Sequence, residues 1–215
     1  MMLIKVCGMR DADNIRCVEA LGIDYMGFIF WPQSKRYVSE CPAYLPCRAK
    51  RVGVFVDSDL DNVICHIDNY GLNAVQLHGH ETPDYVQLLK TMLGERKVSI
   101  IKAFNIATAA DLEQIARYTR LVDYFLFDTK GKAVGGNGMK FDWDVLAGYH
   151  SDTPFLLSGG IGPDDVDSIQ SFHHKCCIGI DLNSRFELSP GLKDITKLEK
   201  FIFHLRYFQF NRGKE

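Results

Sequence analysis

Two side chains suited to proton transfer follow short apolar runs of this 215-residue chain. Cys7 comes directly after Leu3–Val6, and Asp128 comes directly after Tyr124–Phe127. A thiol beside a cation can act as a base, because the cation favours the thiolate. A carboxyl group beside apolar walls favours its protonated form and can act as an acid. We therefore expect a base at Cys7 and a general acid at Asp128. The alternatives are a buried apolar thiol for the first, and a helix cap or a partner of Lys130 for the second.

Three charged residues could support such a pair. Because side chains alternate along a strand, Lys5 and Cys7 share one face, which we expect to point into the interior of the fold. Asp181 lies in a later apolar run and is expected to neutralise Lys5 from across that interior. The planar fork of Arg36 suits a carboxylate ligand, and the alternative for this residue is a solvated loop.

Two glycine-rich segments predict an anion site. Gly135–Gly138 and Ser158–Gly162 follow the sixth and seventh apolar runs and carry little side-chain bulk. Backbone N–H groups can therefore approach a phosphate there, and Pro163 is expected to start a helix whose positive end points at it. Glycine pairs also occur in ordinary turns. No Walker sequence is present and no GxGxxG run follows the first apolar run, which argues against a nucleotide cofactor.

Alternating strand and helix signals predict the elements that position these residues. The apolar runs of strand length are Leu3–Val6, Tyr25–Phe30, Val52–Val56, Ala74–Leu77, Val98–Ala103, Tyr124–Phe127, Pro154–Leu157 and Cys177–Leu182. Helix starts are expected between them, near Asp11 or Asp13, Asp59, Thr82, Thr108, Asp142, Pro163 and Asp194. The second unit is the weakest, since Pro42 and Pro46 allow only a short or irregular helix in Ser39–Arg48.

Such regular alternation without a linker predicts one domain over 1–215, a single (β/α)8 TIM barrel of the phosphate-binding type. An open doubly wound sheet is the alternative. In a barrel the active site lies at the carboxyl ends of the strands, where Cys7, Asp128 and the glycine-rich loops fall.

Composition excludes several function classes. The 25 Lys and Arg against 27 Asp and Glu give no broad cationic field, so neither nucleic acid nor an anionic membrane surface is an expected partner. No apolar run approaches the roughly 18 residues needed to cross a bilayer. Seven cysteines without a CxxC pair, and no apolar leader, predict a cytoplasmic protein. No metal is expected, because neither His78 with His80 nor His173–Cys177 has the spacing of a zinc site.

The assembled motifs resemble those of the phosphoribosylanthranilate isomerase family over nearly the whole chain. The blocks that carry the resemblance are Ile4–Met9, Gly27–Phe30, Ser34–Tyr37, Gly53–Val56, Val75–Gly79, Phe127–Lys130, Gly135–Gly138, Phe141–Trp143, Leu157–Gly160 and Gly191–Asp194. The resemblance implies an Amadori rearrangement in tryptophan biosynthesis that needs no cofactor. The substrate would be N-(5-phosphoribosyl)anthranilate, an aminoaldose, and the product an open-chain aminoketose.

The resemblance also implies a role for each candidate residue. Asp128 is expected to protonate the furanose ring oxygen, and Cys7 to remove the proton from sugar C2. Arg36 is expected to bind the anthranilate carboxylate, and Asp181 to orient the sugar or Cys7. The residues expected to hold the phosphate are Gly136, Gly159, Gly160, Asn183 and Ser184.

The sequence departs from the family at one turn, and alternatives to the family activity stay open. The family commonly has Ser-Ser-Gly where this chain has Asn183-Ser184-Arg185, and a required positive φ would strain Arg185, although its charge could also contact the phosphate. The expected assembly is a monomer or a weak homodimer. The alternatives are another phosphosugar barrel, such as an epimerase or a histidine-pathway isomerase, and a binding protein on a decayed barrel.

Overall fold

A closed barrel of eight parallel strands forms the centre of the molecule. The computed structural model describes residues 2–128 and 143–212, with side chains up to residue 207. The strands are β1 Leu3–Val6, β2 Tyr25–Ile29, β3 Lys50–Phe55, β4 Ala74–Leu77, β5 Ser99–Asn105, β6 Tyr124–Asp128, β7 Phe155–Ser158 and β8 Cys177–Leu182. Each pairs with its neighbour in chain order, and β8 pairs with β1. The predicted barrel is confirmed, and the open doubly wound sheet is wrong.

Helices join most of the strands. The α-helices of the described residues are α1 Ala12–Ala20, α2 Leu60–Tyr70, α3 Pro83–Leu93, α4 Val166–Ser171 and α5 Ile195–Arg212. More tightly wound 3₁₀ helices cover Ala109–Tyr118, Trp143–Gly148 and Ser184–Phe186. The predicted caps Asp11, Asp59 and Thr82 each accept a first-turn backbone N–H, at 2.8, 2.7 and 3.2 Å. Asp142 lies outside the described residues. No described helix has both the length and the hydropathy needed to span a bilayer.

The helix expected to begin at Pro163 begins instead at Val166. The Asp165 carboxylate accepts the N–H of Gly162 at 2.8 Å, and the Asp165 N–H donates to the Gly162 carbonyl at 3.1 Å. These two bonds close a turn that contains Pro163, so proline here fixes a turn and not the first residue of a helix.

Side-chain alternation divides the strands between two apolar layers. The layer inside the barrel is small and consists of Tyr25, Val52, Ala74, Ile101, Ala103, Leu126 and Leu156. A larger layer, which includes Ile4 and Val6, lies between the strands and the helices. Lys5 falls between these two residues and faces the interior, as predicted from the alternation. The interior therefore takes polar groups near its carboxyl end, while the outer layer supplies most of the hydrophobic stabilisation.

A small hairpin follows the barrel. β9 Glu187–Ser189 and β10 Leu192–Lys193 pair antiparallel, and Gly191 turns the chain between them with φ of 86°. The N–H of Gly191 donates to the Glu187 carboxylate at 3.1 Å, which ties the turn to the first strand of the hairpin. The hairpin was not predicted from the sequence.

The connection from β2 to β3 has no helix, whereas the sequence predicted a short or irregular one in Ser39–Arg48. Its far end is organised by Glu19 of α1, whose side chain is buried. Glu19 Oε2 accepts the hydroxyl of Tyr44 at 2.5 Å, and Oε1 accepts the backbone N–H groups of Arg48 and Ala49 at 2.6 and 3.1 Å. One carboxylate thus satisfies backbone donors that a helix would otherwise have paired.

Glu19→Gln should lower the free energy of unfolding by about 1–3 kcal/mol at neutral pH, because a buried charged acceptor of several hydrogen bonds is lost. Burial raises the pKa of Glu19, but the hydrogen bonds from Tyr44 and Arg48 outweigh it and the pKa lies below the ordinary 4.5. The wild-type carboxylate therefore stabilises the fold above pH 4.5 and loses its advantage as pH falls through the folded pKa.

Urea unfolding at neutral pH and below pH 4.5 measures this difference. Glu95→Gln, at an exposed glutamate, is the matched control and should change little. A Glu19→Gln penalty that stays the same at both pH values would contradict the assignment.

Candidate active site

The carboxyl ends of the strands bring the predicted catalytic residues to one end of the barrel. Cys7 directly follows β1, and Asp128 is the last residue of β6. Asp181 lies one residue before the end of β8, and Arg36 lies in the loop after β2. Because all eight strands run parallel in one closed barrel, these positions share a single rim.

A buried ion pair lies beneath Cys7. Lys5 Nζ donates to Asp181 Oδ1 at 2.8 Å, and the two side chains are 0% and 7% exposed. This confirms the predicted neutralisation of Lys5 across the interior. The second Asp181 oxygen lies 3.5 Å from Ser158 Oγ, within hydrogen-bonding range, so Asp181 joins the ends of β1, β7 and β8.

The electrostatic environment of Cys7 combines opposing effects. The thiol is 3% exposed, and burial raises its pKa. The charge of Lys5 lowers the pKa, Asp181 raises it, and Lys193 lowers it again. The net pKa lies above the ordinary value of 9.0. The expected cation is thus present and lowers the pKa of Cys7 as predicted, but burial outweighs its effect.

A glycine of the neighbouring strand makes room for Cys7. A Cβ atom added to Gly27 of β2 would lie 2.6 Å from Cys7 Sγ and 3.1 Å from its Cα. No ordinary packing allows such distances. The position of the thiol therefore depends on the absence of a side chain at residue 27.

Arg36 binds a carboxylate within its own chain. Its Nε donates to Glu187 Oε1 at 2.8 Å, and its Nη2 donates to Glu187 Oε2 at 2.6 Å. The Arg36 side chain is 22% exposed, so it is neither fully buried nor the solvated loop residue of the alternative interpretation. Glu187 also accepts from Lys193 Nζ at 2.6 Å, and Lys193 is buried.

These charges shift one another's pKa values. Burial raises the pKa of Glu187, but hydrogen bonds from Arg36 and Lys193 outweigh it and lower the pKa to about 2. The bond to Glu187 raises the pKa of Arg36. Burial lowers the pKa of Lys193, and Glu187 offsets part of that shift.

Asp128 faces a histidine across the rim. His78 Nε2 lies 3.7 Å from Asp128 Oδ2, and His78 Nδ1 lies 3.0 Å from Gln76 Nε2. An amide nitrogen only donates, so in this arrangement Nδ1 accepts and the hydrogen of a neutral ring is on Nε2, facing Asp128. Gln76 is buried and therefore fixes the ring from below.

The structure describes only one of the two predicted phosphate loops, Ser158–Gly162. Gly159 and Gly160 have φ values of 102° and 69°, which glycine adopts without strain. No heavy atom lies within 4 Å of a Cβ built on Gly160, so backbone conformation and not space favours glycine there. The N–H of Gly162 is taken by Asp165 and does not face a ligand. Gly136 and its loop lie outside the described residues.

The turn after β8 avoids the strain expected at Arg185. Among the described residues other than glycine, only Asp57 has a positive φ. Ser184–Phe186 instead form a 3₁₀ turn, closed by the Phe186 N–H on the Asn183 carbonyl at 3.1 Å. The expected difficulty for Arg185 is therefore wrong. Its side-chain stem lies 3.7 Å from a Cβ built on Gly162, at the edge of the preceding glycine loop.

Other charges of the rim pair with one another. Asp57 binds the exposed His80 at 3.1 Å, and Lys102 binds Glu81 at 3.2 Å with both side chains buried. Lys102 also donates to the Gly79 carbonyl at 2.9 Å, which fixes the loop after β4. Within residues 2–128 and 143–212, no group of three or more His, Cys, Asp or Glu side chains could hold a metal ion.

Sequence reasoning missed two residues of this site, Glu187 and Lys193. Both come after the eighth strand, where the pattern predicted only the start of the last helix. The signal that could have found them is the Pro190-Gly191 pair between two short segments, which is typical of a tight turn and brings its flanking residues together.

Comparisons with known proteins assign the family. The family model described as N-(5'-phosphoribosyl)anthranilate (PRA) isomerase matches residues 4–204. The chain belongs to this family. The N-(5'-phosphoribosyl)anthranilate isomerase of Parabacteroides distasonis is 48% identical, over 99% of this chain and 97% of that protein. Membership makes the chain an isomerase of tryptophan biosynthesis.

Solved structures agree with the family. The monomers generated from the dimeric isomerase of Thermotoga maritima have a TM-score of 0.79 and 28% identity, over 96% of this chain and 100% of that one. A phosphoribosyl anthranilate isomerase in complex with reduced 1-(o-carboxyphenylamino)-1-deoxyribulose 5-phosphate has a TM-score of 0.77 and 28% identity, with the same coverage.

Gly27→Ala should lower kcat/KM at least tenfold, because the added methyl group displaces Cys7. Gly53→Ala is the matched control, since a Cβ there would lie 2.5 Å from Leu72 and 2.7 Å from Phe55, away from the rim. Both variants overpack the fold and should cost about 1–3 kcal/mol of stability. Turnover is divided by the folded fraction that thermal unfolding gives, which separates displacement of Cys7 from loss of stability. Equal losses of turnover in both variants would mean that the contact with Cys7 is not the cause.

Proposed function

We propose that this chain converts N-(5'-phosphoribosyl)anthranilate into 1-(2-carboxyphenylamino)-1-deoxyribulose 5-phosphate, with Asp128 as general acid and Cys7 as general base. The observation that carries the assignment is that Cys7 directly follows β1 and Asp128 ends β6, at the same end of one closed barrel. A substrate seated on that rim can meet an acid and a base from different strands. Family membership supports the identity of the substrate.

The first step is ring opening. Asp128 gives a proton to the furanose ring oxygen, the bond from that oxygen to C1 breaks, and the nitrogen lone pair forms a protonated Schiff base at C1. Asp128 is then a carboxylate. The His78 N–H that faces it stabilises this charge, which makes departure of the proton easier.

The second step removes a carbon-bound proton. The Cys7 thiolate takes the proton from C2, and the electron pair of the C–H bond neutralises the Schiff base to give an enolamine. Tautomerisation of the enol then yields the ketone at C2. Cys7 ends the cycle as a thiol and Asp128 as a carboxylate, so a proton returns from one to the other through solvent before the next turnover.

The charges around Cys7 favour this step. Three cations, Lys5, Arg36 and Lys193, face two carboxylates, Asp181 and Glu187, which leaves one positive charge in excess. The Schiff base adds another positive charge when it forms. A buried thiol with a raised pKa is a strong base once deprotonated, and these positive charges make its deprotonated form accessible.

The two ends of the substrate carry negative charge. We infer that Arg36 binds the anthranilate carboxylate and that the phosphate lies against the loops of Gly136, Gly159, Gly160, Asn183 and Ser184. Asp181 holds Lys5 beside Cys7 and so orients the base. The positive φ values of Gly159 and Gly160 support a backbone that can turn its N–H groups toward an anion.

Cys7→Ala and Asp128→Asn should each reduce kcat at least about 100-fold, since each removes one proton-transfer group. The assay follows the loss of phosphoribosylanthranilate fluorescence with purified protein. Cys176→Ala, at another buried thiol, and Asp57→Asn, at another aspartate near the rim, are matched controls that should keep wild-type kcat. Near-normal turnover of either test variant would reject its assigned role.

Arg36→Ala should raise KM about 10- to 100-fold with a smaller change in kcat, because a charge-assisted hydrogen bond to the substrate carboxylate is worth about 1.5–3 kcal/mol. Arg36→Lys keeps the charge without the planar fork, and its KM should lie between those of the wild type and Arg36→Ala. Steady-state kinetics separates KM from kcat. An unchanged KM in Arg36→Ala would rule out the carboxylate contact.

A further inference from the structure

We propose that Glu187 is a positioning residue that aims Arg36 at the substrate carboxylate, and that Lys193 holds Glu187 and ties it to Asn183 of the phosphate loop. This inference rests on the proposed function and deepens it. It assigns selectivity for a substrate with a carboxylate on its aromatic ring to a residue that does not itself touch that carboxylate.

The Arg36 fork explains how Glu187 acts. Glu187 accepts from the edge formed by Nε and Nη2, at 2.8 and 2.6 Å. A planar guanidinium held by two parallel bonds cannot rotate about its long axis, so the direction of its opposite edge, at Nη1, is fixed as well. A ligand carboxylate would meet this second edge. Removing Glu187 would leave the charge of Arg36 in the loop without its orientation.

Lys193 connects the Arg36–Glu187 pair to the expected phosphate end of the site. Its Nζ donates to Glu187 Oε1 at 2.6 Å and to Asn183 Oδ1 at 2.8 Å. Both Arg36 and Asn183 also pack on Gly8, where an added Cβ would lie 2.6 Å from Arg36 Cδ and 2.9 Å from Asn183 Oδ1. The expected carboxylate and phosphate contacts are therefore linked by one chain of bonds beside the residue that follows Cys7.

Stability alone is a weak explanation for these charges. Lys193 is 0% and Glu187 4% exposed, and a buried ion pair commonly stabilises a fold no more than well-packed apolar residues would. Perturbed ionisable groups in a cleft are instead typical of functional sites, and the pKa of Glu187 is lowered to about 2. The bonds themselves end on two residues assigned to substrate binding, which is where a positioning role would act.

The test compares two probes that differ only in the carboxylate. One is reduced 1-(o-carboxyphenylamino)-1-deoxyribulose 5-phosphate, and the other carries a plain phenyl ring. The Kd of the phenyl probe is divided by the Kd of the carboxyphenyl probe, both measured by calorimetry on the full chain. This ratio cancels the folded fraction and any effect on the phosphate end. Glu187→Gln should reduce this ratio about tenfold relative to wild type, and Arg36→Ala should reduce it toward unity.

Further variants keep the result clear. Lys193→Met retains the Glu187 bonds to Arg36 and should keep most of the ratio while weakening both probes together, through Asn183. Glu187→Gln leaves the buried charge of Lys193 without a charged partner, which could destabilise the fold. A double variant, Glu187→Gln with Lys193→Met, removes both charges and avoids this cost. We expect this pair to fold normally and still to show the reduced ratio.

The possible outcomes separate this inference from the proposed function. The positioning role alone would be overturned by two results together. The wild-type chain would turn over the substrate, and both Glu187→Gln and the double variant would keep the wild-type ratio. An equal weakening of both probes in Glu187→Gln would also overturn it, because a purely structural role acts on both. A wild-type chain without isomerase activity would overturn both.

Discussion

The ion pair between Lys5 and Asp181 joins the two ends of the barrel sheet. β1 and β8 are separated by nearly the whole chain, and the two residues are paired in register where these strands meet. Their side chains bond at 2.8 Å inside the barrel, where water is excluded. Two opposite charges that each lack solvent are stable only while they stay paired, so the pair favours the observed register of the closing strands and places a cation near Cys7.

The site is built on an imbalance of buried charge. Lys5 and Asp181 neutralise each other, whereas Glu187 has two cationic partners, Arg36 and Lys193. The excess positive charge belongs to groups that the protein holds in place, so little reorganisation is needed when an anion arrives or forms. In the proposed reaction this positive charge would stabilise two anions, the Cys7 thiolate and the substrate carboxylate. Burial raises the pKa of Cys7 and favours the neutral thiol, while Lys5 and Lys193 oppose this shift.

Local patterns predicted the barrel and the strands that carry the proposed catalytic residues, because each of these residues lies at the end of an apolar run. Cys7 and Asp128 follow runs that the sequence marks clearly, and the alternation within β1 predicted the direction of Lys5. Glu187 was missed because Arg36 meets it through tertiary packing that no spacing encodes, and because the turn at Pro190-Gly191, which pairs it with Lys193, was not predicted. Pro163 misled because a proline starts turns as readily as helices, and the choice was made by the Asp165 carboxylate on Gly162.

The irregular connection after β2 is held by contacts with other elements, including the hairpin after β8. A regular helix in that connection could fix the loop that carries Arg36, but the prolines disfavour one and the structure has none there. Two carboxylates from other elements fix it instead: Glu19 of α1 binds the far end of the connection, and Glu187 of β9 binds Arg36 itself. The loop is therefore ordered in part by an element that follows the last strand of the barrel. Under the proposed positioning role, the orientation in which Arg36 would bind a substrate depends on the hairpin that carries Glu187.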